Sequence, residues 1–357
     1  MSKRFVLDIA MQHQVTSYLN IAYPLLFILS DPKLEHWAKE RFVHMYAQCW
    51  FGNYLRTDYT DSSRYFGDLL ERISYSLSEA RELAQAGGAI GFVKESLERG
   101  YAVNVFTIDL YHLPEAAEYR KEHRIHELLV YGYDDLRGRL EVIGYDRNGL
   151  FAAYSVAYAS FEEALAEALA KPPDYLREAL HLIRKRELRH AYRFDPAAFS
   201  GEVSKLAFSV PDRPKLFYTL ADDSEAVFGM AVYDRILEQM ERRLEGKPSL
   251  IVNFTTVHFI REHGKLLEER FAFVDAFCRP KGKLQSLLAR YPQVAQEYEA
   301  ARNGYLRQAM KESSFASRYK IADEEAFGRI YRLLKGTTER EKELLAELAT
   351  ELKREYA

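Results

Sequence analysis

An imidazole held beside a carboxylate is the simplest acid–base device a chain can build, and His126 and Asp146 are placed to make one. His126 stands at the mouth of a hydrophobic run over residues 127–133. Asp146 ends a second run, 140–146, which is expected to pair with the first. In an antiparallel pair two such residues can lie close together. The carboxylate then fixes the tautomer of the ring and stabilises the imidazolium, as nucleophilic catalysis requires. The bland alternative is a pair of strand ends that carry polar residues, and spacing alone leaves both readings open.

Other reactive side chains point less clearly to chemistry. Cys49 falls at the expected end of a long helix and therefore lacks the helix N-terminus that would lower a thiol pKa. Cys278 sits among Phe271, Phe273 and Phe277, and both thiols read as buried and unreactive. His123 and His126 are an i, i+3 pair without a Cys or carboxylate set at ligand spacing, so no metal is expected. Asp134-Asp135 offers too few ligands for calcium, and Gly87-Gly88-Ala89-Ile90-Gly91 lacks the Lys-Ser/Thr of a phosphate loop. Arg184-Lys185-Arg186 and Arg189-His190 read first as solvated faces. Their second reading is contact with a phosphate or an acidic partner.

Composition bounds the partners. The 357 residues suffice for two domains, and 48% apolar with 13% aromatic residues is globular rather than disordered. Fifty basic against 53 acidic side chains give a net charge of −3, with no excess that invites nucleic acid or an anionic membrane. Two cysteines make no disulfide framework, and the apolar run 21–29 is too short to span a bilayer. A cytoplasmic protein is the expectation.

The positioning elements show two textures. Helices are expected at 19–29, 32–54, 65–84 and 90–98, then strands at 101–110, 127–133, 140–146 and 152–160. Ser160 with Glu163 reads as a capping box opening a helix to residue 170. Lys171-Pro172-Pro173 marks the expected boundary between domains 1–171 and 172–357. Beyond it the pattern is helical, near 174–188, 195–206, 223–245, 256–279, 283–313, 323–335 and 338–356. Thr338 with Glu341 reads as a second capping box. The large apolar residues of this half, among them Leu216, Phe217, Phe228, Val232 and Phe259, lead to the expectation that residues 210–280 cover a groove in the first half.

The segment Asp109-Leu110-Tyr111-His112-Leu113-Pro114, then His126, then Gly132-Tyr133-Asp134-Asp135, then Asp146 resembles a known pattern. It is similar to the papain-like domain family typified by the butirosin-biosynthesis acyltransferase and related bacteriocin-processing peptidases. The resemblance is close over 101–146 and looser elsewhere. It implies an α+β fold, a papain-like domain followed by a mostly α-helical one, with His126 as base and Asp146 as its orienting partner. Ser17 stands where the family places its cysteine, ahead of the first buried helix, and Gln12 and Gln14 stand near the family's oxyanion-hole glutamine. The activity this resemblance implies is acyl transfer in specialised-metabolite biosynthesis. The donor would be an acyl carrier protein or coenzyme A thioester carrying phosphopantetheine, the acceptor a small amine or hydroxyl, with no bound cofactor. Amide hydrolysis, or a retired domain that only binds with Ser17 as a helix cap, are the alternatives.

Overall fold

The computed structural model describes residues 3–50, 54–60, 66–85, 88–174, 176–212, 226–311 and 321–356. Leu216, Phe217 and Gly87, named above, lie outside them. The chain is α+β with antiparallel sheets and a helical C-terminal region. It forms two compact units, one from residues 1–32 with 66–189, the other from 33–65 with 190–357. The units thus divide at three points in the chain, where the sequence suggested one boundary at 171/172.

The first unit is built on a seven-stranded antiparallel sheet, ordered β4-β9-β5-β6-β7-β8, with β1 also paired to β6. Its strands are β1 (Arg4–Val6), β4 (Leu70–Ser76), β5 (Ala102–Asp109), β6 (Ile125–Asp134), β7 (Arg139–Tyr145), β8 (Phe151–Ala157) and β9 (Glu178–Lys185). The four strands β5 to β8 fall where alternation and β-branched residues predict them. β9 does not: the stretch 174–188 reads as a helix by propensity, yet Ala179, Leu180, Leu182 and Ile183 are buried between β4 and β5. Tertiary pairing overrides local preference there. The same holds for β4, which falls inside the expected helix 65–84.

Helices α3 (Leu77–Gln85), α4 (Ala89–Glu98) and α5 (Tyr158–Ala170) close one core with Val103, Val105 and Ile108 of β5, Leu128 and Val130 of β6, and Leu140 and Val142 of β7. Phe161, Leu165 and Leu169 are the contribution of α5. Ser160 lies inside α5 rather than at its start, so the expected capping box is not formed; the N-cap is Ala157. Helix α1 (Leu19–Leu29) packs on β9 and is buried over almost its whole length.

The second unit holds a three-stranded antiparallel sheet of β2 (Met45–Trp50), β3 (Tyr54–Tyr59) and β10 (Val227–Phe228). The apolar spacing predicts a helix from 32 to 54. Instead α2 (Glu35–Glu40) stops, and Phe42 turns the chain with φ 60. The remaining helices are α6 (Pro196–Ala207), α7 (Ala231–Leu244), α8 (Phe254–Cys278), α9 (Lys283–Leu288), α10 (Tyr291–Ala309) and α11 (Glu324–Tyr356). Thr338 and Glu341 lie within the single helix α11 and face the core, so they cap nothing. Among the described residues no helix is long and apolar enough to cross a membrane.

Candidate active site

All five residues singled out from the sequence belong to the first unit. Ser17 precedes α1, but its expected capping role is not the observed one: the N-cap position is Tyr18, and no side chain caps the helix. Its Oγ is shielded from solvent.

His126 stands at the start of β6, opposite Ile108 of β5. Half-buried, it lies deep enough for loss of solvent to dominate its titration. Burial pushes its pKa down to about 4, the charge of Arg124 acts in the same direction, and a contact with the Glu127 carbonyl opposes them. That carbonyl lies 3.4 Å from Nδ1. The ring is therefore neutral at pH 7, the form that can accept a proton.

Tyr145, the last residue of β7, links these two positions. Its hydroxyl donates to the carbonyl of Thr16, the residue before Ser17. Its ring meets His126 edge-on with centroids 5.9 Å apart. Tyr23 adds a second tie between α1 and the strands, donating to the carbonyls of Ile143 at 3.1 Å and Glu127 at 3.3 Å. Gly144 leaves room for this arrangement, since a Cβ there would sit 3.1 Å from the Tyr154 hydroxyl and 3.0 Å from Leu128.

Asp146 is engaged otherwise. The ladder between β6 and β7 ends at Leu129↔Ile143, and the same register continued would set Asp146 opposite His126. Its Oδ1, however, accepts the backbone N–H groups of Asn148 at 2.8 Å and Leu150 at 2.9 Å. The carboxylate thereby closes the tight turn into β8, as Asp side chains commonly do.

Gln12 is buried, and its amide is fully occupied by the loop that leads into α1 and by the first turn of α1 itself. Nε2 donates to the carbonyls of Val15 at 2.9 Å and Ala22 at 3.2 Å. Oε1 accepts from the N–H groups of Gln14 at 2.7 Å and Val15 at 3.2 Å. With both amide hydrogens committed, Gln12 has none to offer an oxyanion. Gln14 is half-buried and enters this network through its backbone. Cys49 lies in the β2–β3 ladder, not at a helix end, while burial raises the thiol pKa of Cys278.

One cluster escaped the sequence reading. Asp109, His112 and His123 bring their ligating atoms within 4.8 Å of one another, at the end of the β5–β6 pair that also carries His126. The signal was present as His123 and His126, but His126 is not the partner of His123. Asp109 is, and only the antiparallel pairing of Asp109 with Ile125 brings it there. No protein-family model and no curated protein matches this sequence.

Proposed function

We propose that the first unit is a papain-like acyl-transfer domain. It takes an acyl group from the phosphopantetheine thioester of a carrier protein or coenzyme A and gives it to a small amine or hydroxyl acceptor. The supporting observation is Tyr145, which touches His126 with its ring and the Thr16–Ser17 segment with its hydroxyl. In this reading neutral His126 takes the proton of the attacking group, the Ser17 hydroxyl or the acceptor's own amine or hydroxyl. The carbonyl carbon forms its new bond as the thioester C–S bond breaks, and His126 returns the proton to the departing sulfur. On the Ser17 route the acceptor then attacks the Ser17 ester, and His126 passes its proton to the departing Ser17 Oγ. Because the amide of Gln12 is committed, the side-chain amide of Gln14 and backbone N–H groups at the start of α1 are the donors this reading gives the developing oxyanion.

The occupied carboxylate of Asp146 and amide of Gln12 favour a second reading, a domain that keeps the fold for binding alone. A fluorophosphonate probe with peptide mapping separates the two. Labelling at Ser17 that is lost in His126→Ala supports catalysis through an acyl-enzyme. Transfer from an acyl thioester without labelling, also lost in His126→Ala, supports direct transfer. An unlabelled protein with no thioester turnover would sink the enzymatic reading.

A further inference from the structure

We propose that Asp109, His112 and His123 form a binding site for a divalent transition metal ion, with zinc the best fit to two imidazoles and one carboxylate. The residues come from three adjacent pieces of backbone. Asp109 ends β5, His112 closes the 3-10 turn Leu110–His112, and His123 lies just before β6. Asp109 is fixed at both oxygens. Oδ1 accepts the N–H groups of Tyr111 and Arg124, each at 3.1 Å, and Oδ2 lies 2.6 Å from His123 Nδ1. His123 is further held by stacking on Tyr111, with ring centroids 4.1 Å apart.

His112 is the residue that points to a ligand. It is only 7% exposed, and neither ring nitrogen has a hydrogen-bond partner among the described residues. A buried imidazole left so is costly, since each unmatched polar atom forfeits its hydration. Glu163 of α5 brings Oε1 to 2.8 Å from Nδ1, off the line of a proper hydrogen bond. A small rotation of the ring would let Nδ1–H donate to Glu163 and leave the Nε2 lone pair to a metal. A carboxylate behind a histidine is the usual way a protein orients a zinc ligand and raises its basicity. Three protein ligands leave a fourth position to water, or to Glu163 itself after a rotamer change. The ion would staple the loop 110–124 to the ends of β5 and β6. That role is independent of acyl transfer.

Tag-free full-length protein stripped with chelator and titrated with Co²⁺ provides the test, because tetrahedral Co²⁺ absorbs strongly in the visible region and zinc displaces it. We expect one equivalent of Co²⁺ to bind, with displacement by zinc and a raised melting temperature. His112→Ala and His123→Ala should each abolish the band, and Glu163→Gln should weaken binding about 10- to 100-fold. His123 is largely exposed, so its variant tests the site even if His112→Ala fails to fold. Absence of stoichiometric binding to the wild-type protein, or binding that survives His123→Ala, would overturn the proposal.

Discussion

His263 in the second unit and His112 in the first are both buried histidines, and they differ in what surrounds their nitrogens. His263 is wholly enclosed. Its Nε2 donates to the carbonyl of Val43 at 2.8 Å, and its Nδ1 accepts the hydroxyl of Tyr233 at 2.8 Å. Its neighbours follow the same rule. Arg270, also fully buried, donates to the carbonyls of Ala38 at 2.8 Å, Arg41 at 3.1 Å and Leu266 at 3.3 Å. Glu341 accepts the hydroxyls of both Tyr291 and Tyr298. Each of these polar groups has a protein partner, so the network needs no ligand to explain it. His112 lacks such partners, and the nearest groups to it are metal-ligand types. Burial of a polar residue therefore says little by itself, and the state of its lone pairs separates structural polarity from a binding site.

That contrast can be broken most forcefully at Arg270. Arg270→Leu takes the charge-assisted hydrogen bonds away from the carbonyls of Ala38 and Arg41, so a loss of about 3–5 kcal/mol is expected in chemical denaturation. A change below ~1 kcal/mol would mean that the network contributes no stability. The next effect is a pH dependence of roughly 3 kcal/mol. Burial lowers the pKa of His263 to about 4, while burial raises that of Glu341 to about 7 against the hydrogen bonds from its tyrosines. A depressed histidine contributes stability present above the ordinary value of 6.5 and lost as pH falls toward 4. A raised carboxyl contributes stability present below the ordinary 4.5 and lost as pH rises through 7. Between pH 4.5 and 6.5 the two slopes oppose each other. Glu341→Gln removes one of them, so the variant should gain stability with rising pH over that window relative to wild type, and a parallel pair of profiles would refute the assignment. A smaller effect is expected at Gly264, where a Cβ would meet the ring of Tyr298 at 2.9 Å. That ring is anchored through its hydroxyl to Glu341 and cannot easily yield, so Gly264→Ala should cost about 1–3 kcal/mol by overpacking.

The parts of this molecule legible from its residues are those where local pattern and tertiary role agree. β5 to β8 alternate along the sheet, and α1, α6 and α8 lie within a few residues of their expected places. Where the two conflict, the pattern misleads. Met45 fits the helical steps begun at Leu34 and Trp37, but the left-handed turn at Phe42 releases the chain into β2. Glu341 fits a capping box until its burial against Tyr291 and Tyr298 shows it to be a core acid. Of the site residues, the strand pattern located His126 at the head of its strand, while Ser17, ahead of its helix, was picked out only by the family resemblance. Neither could show that Asp146 would be used by its own turn or Gln12 by its own loop. The pairing of Asp109 with His123 was missed for the same reason, since their closeness depends on a strand register and not on a spacing.

The smallest effect is the most telling for the comparison. In metal-free protein His112→Leu should change stability by less than ~1 kcal/mol, because the substitution replaces a buried imidazole, whose one close polar neighbour is the half-exposed Glu163 carboxylate off the hydrogen-bond line, by an apolar group of similar size. No hydrogen bond is lost, and the cost of burying two unmatched nitrogens disappears. The same change at position 263 would strand the Tyr233 hydroxyl and the Val43 carbonyl, and a loss of about 2–4 kcal/mol is expected there. Denaturation of the two variants side by side, in chelator, measures the difference directly. Adding zinc then completes the test: it should stabilise wild type and His263→Leu but leave His112→Leu where it was. If His112→Leu were as costly as His263→Leu in chelator, its ring would be held by protein partners after all, and the distinction between the two histidines would collapse.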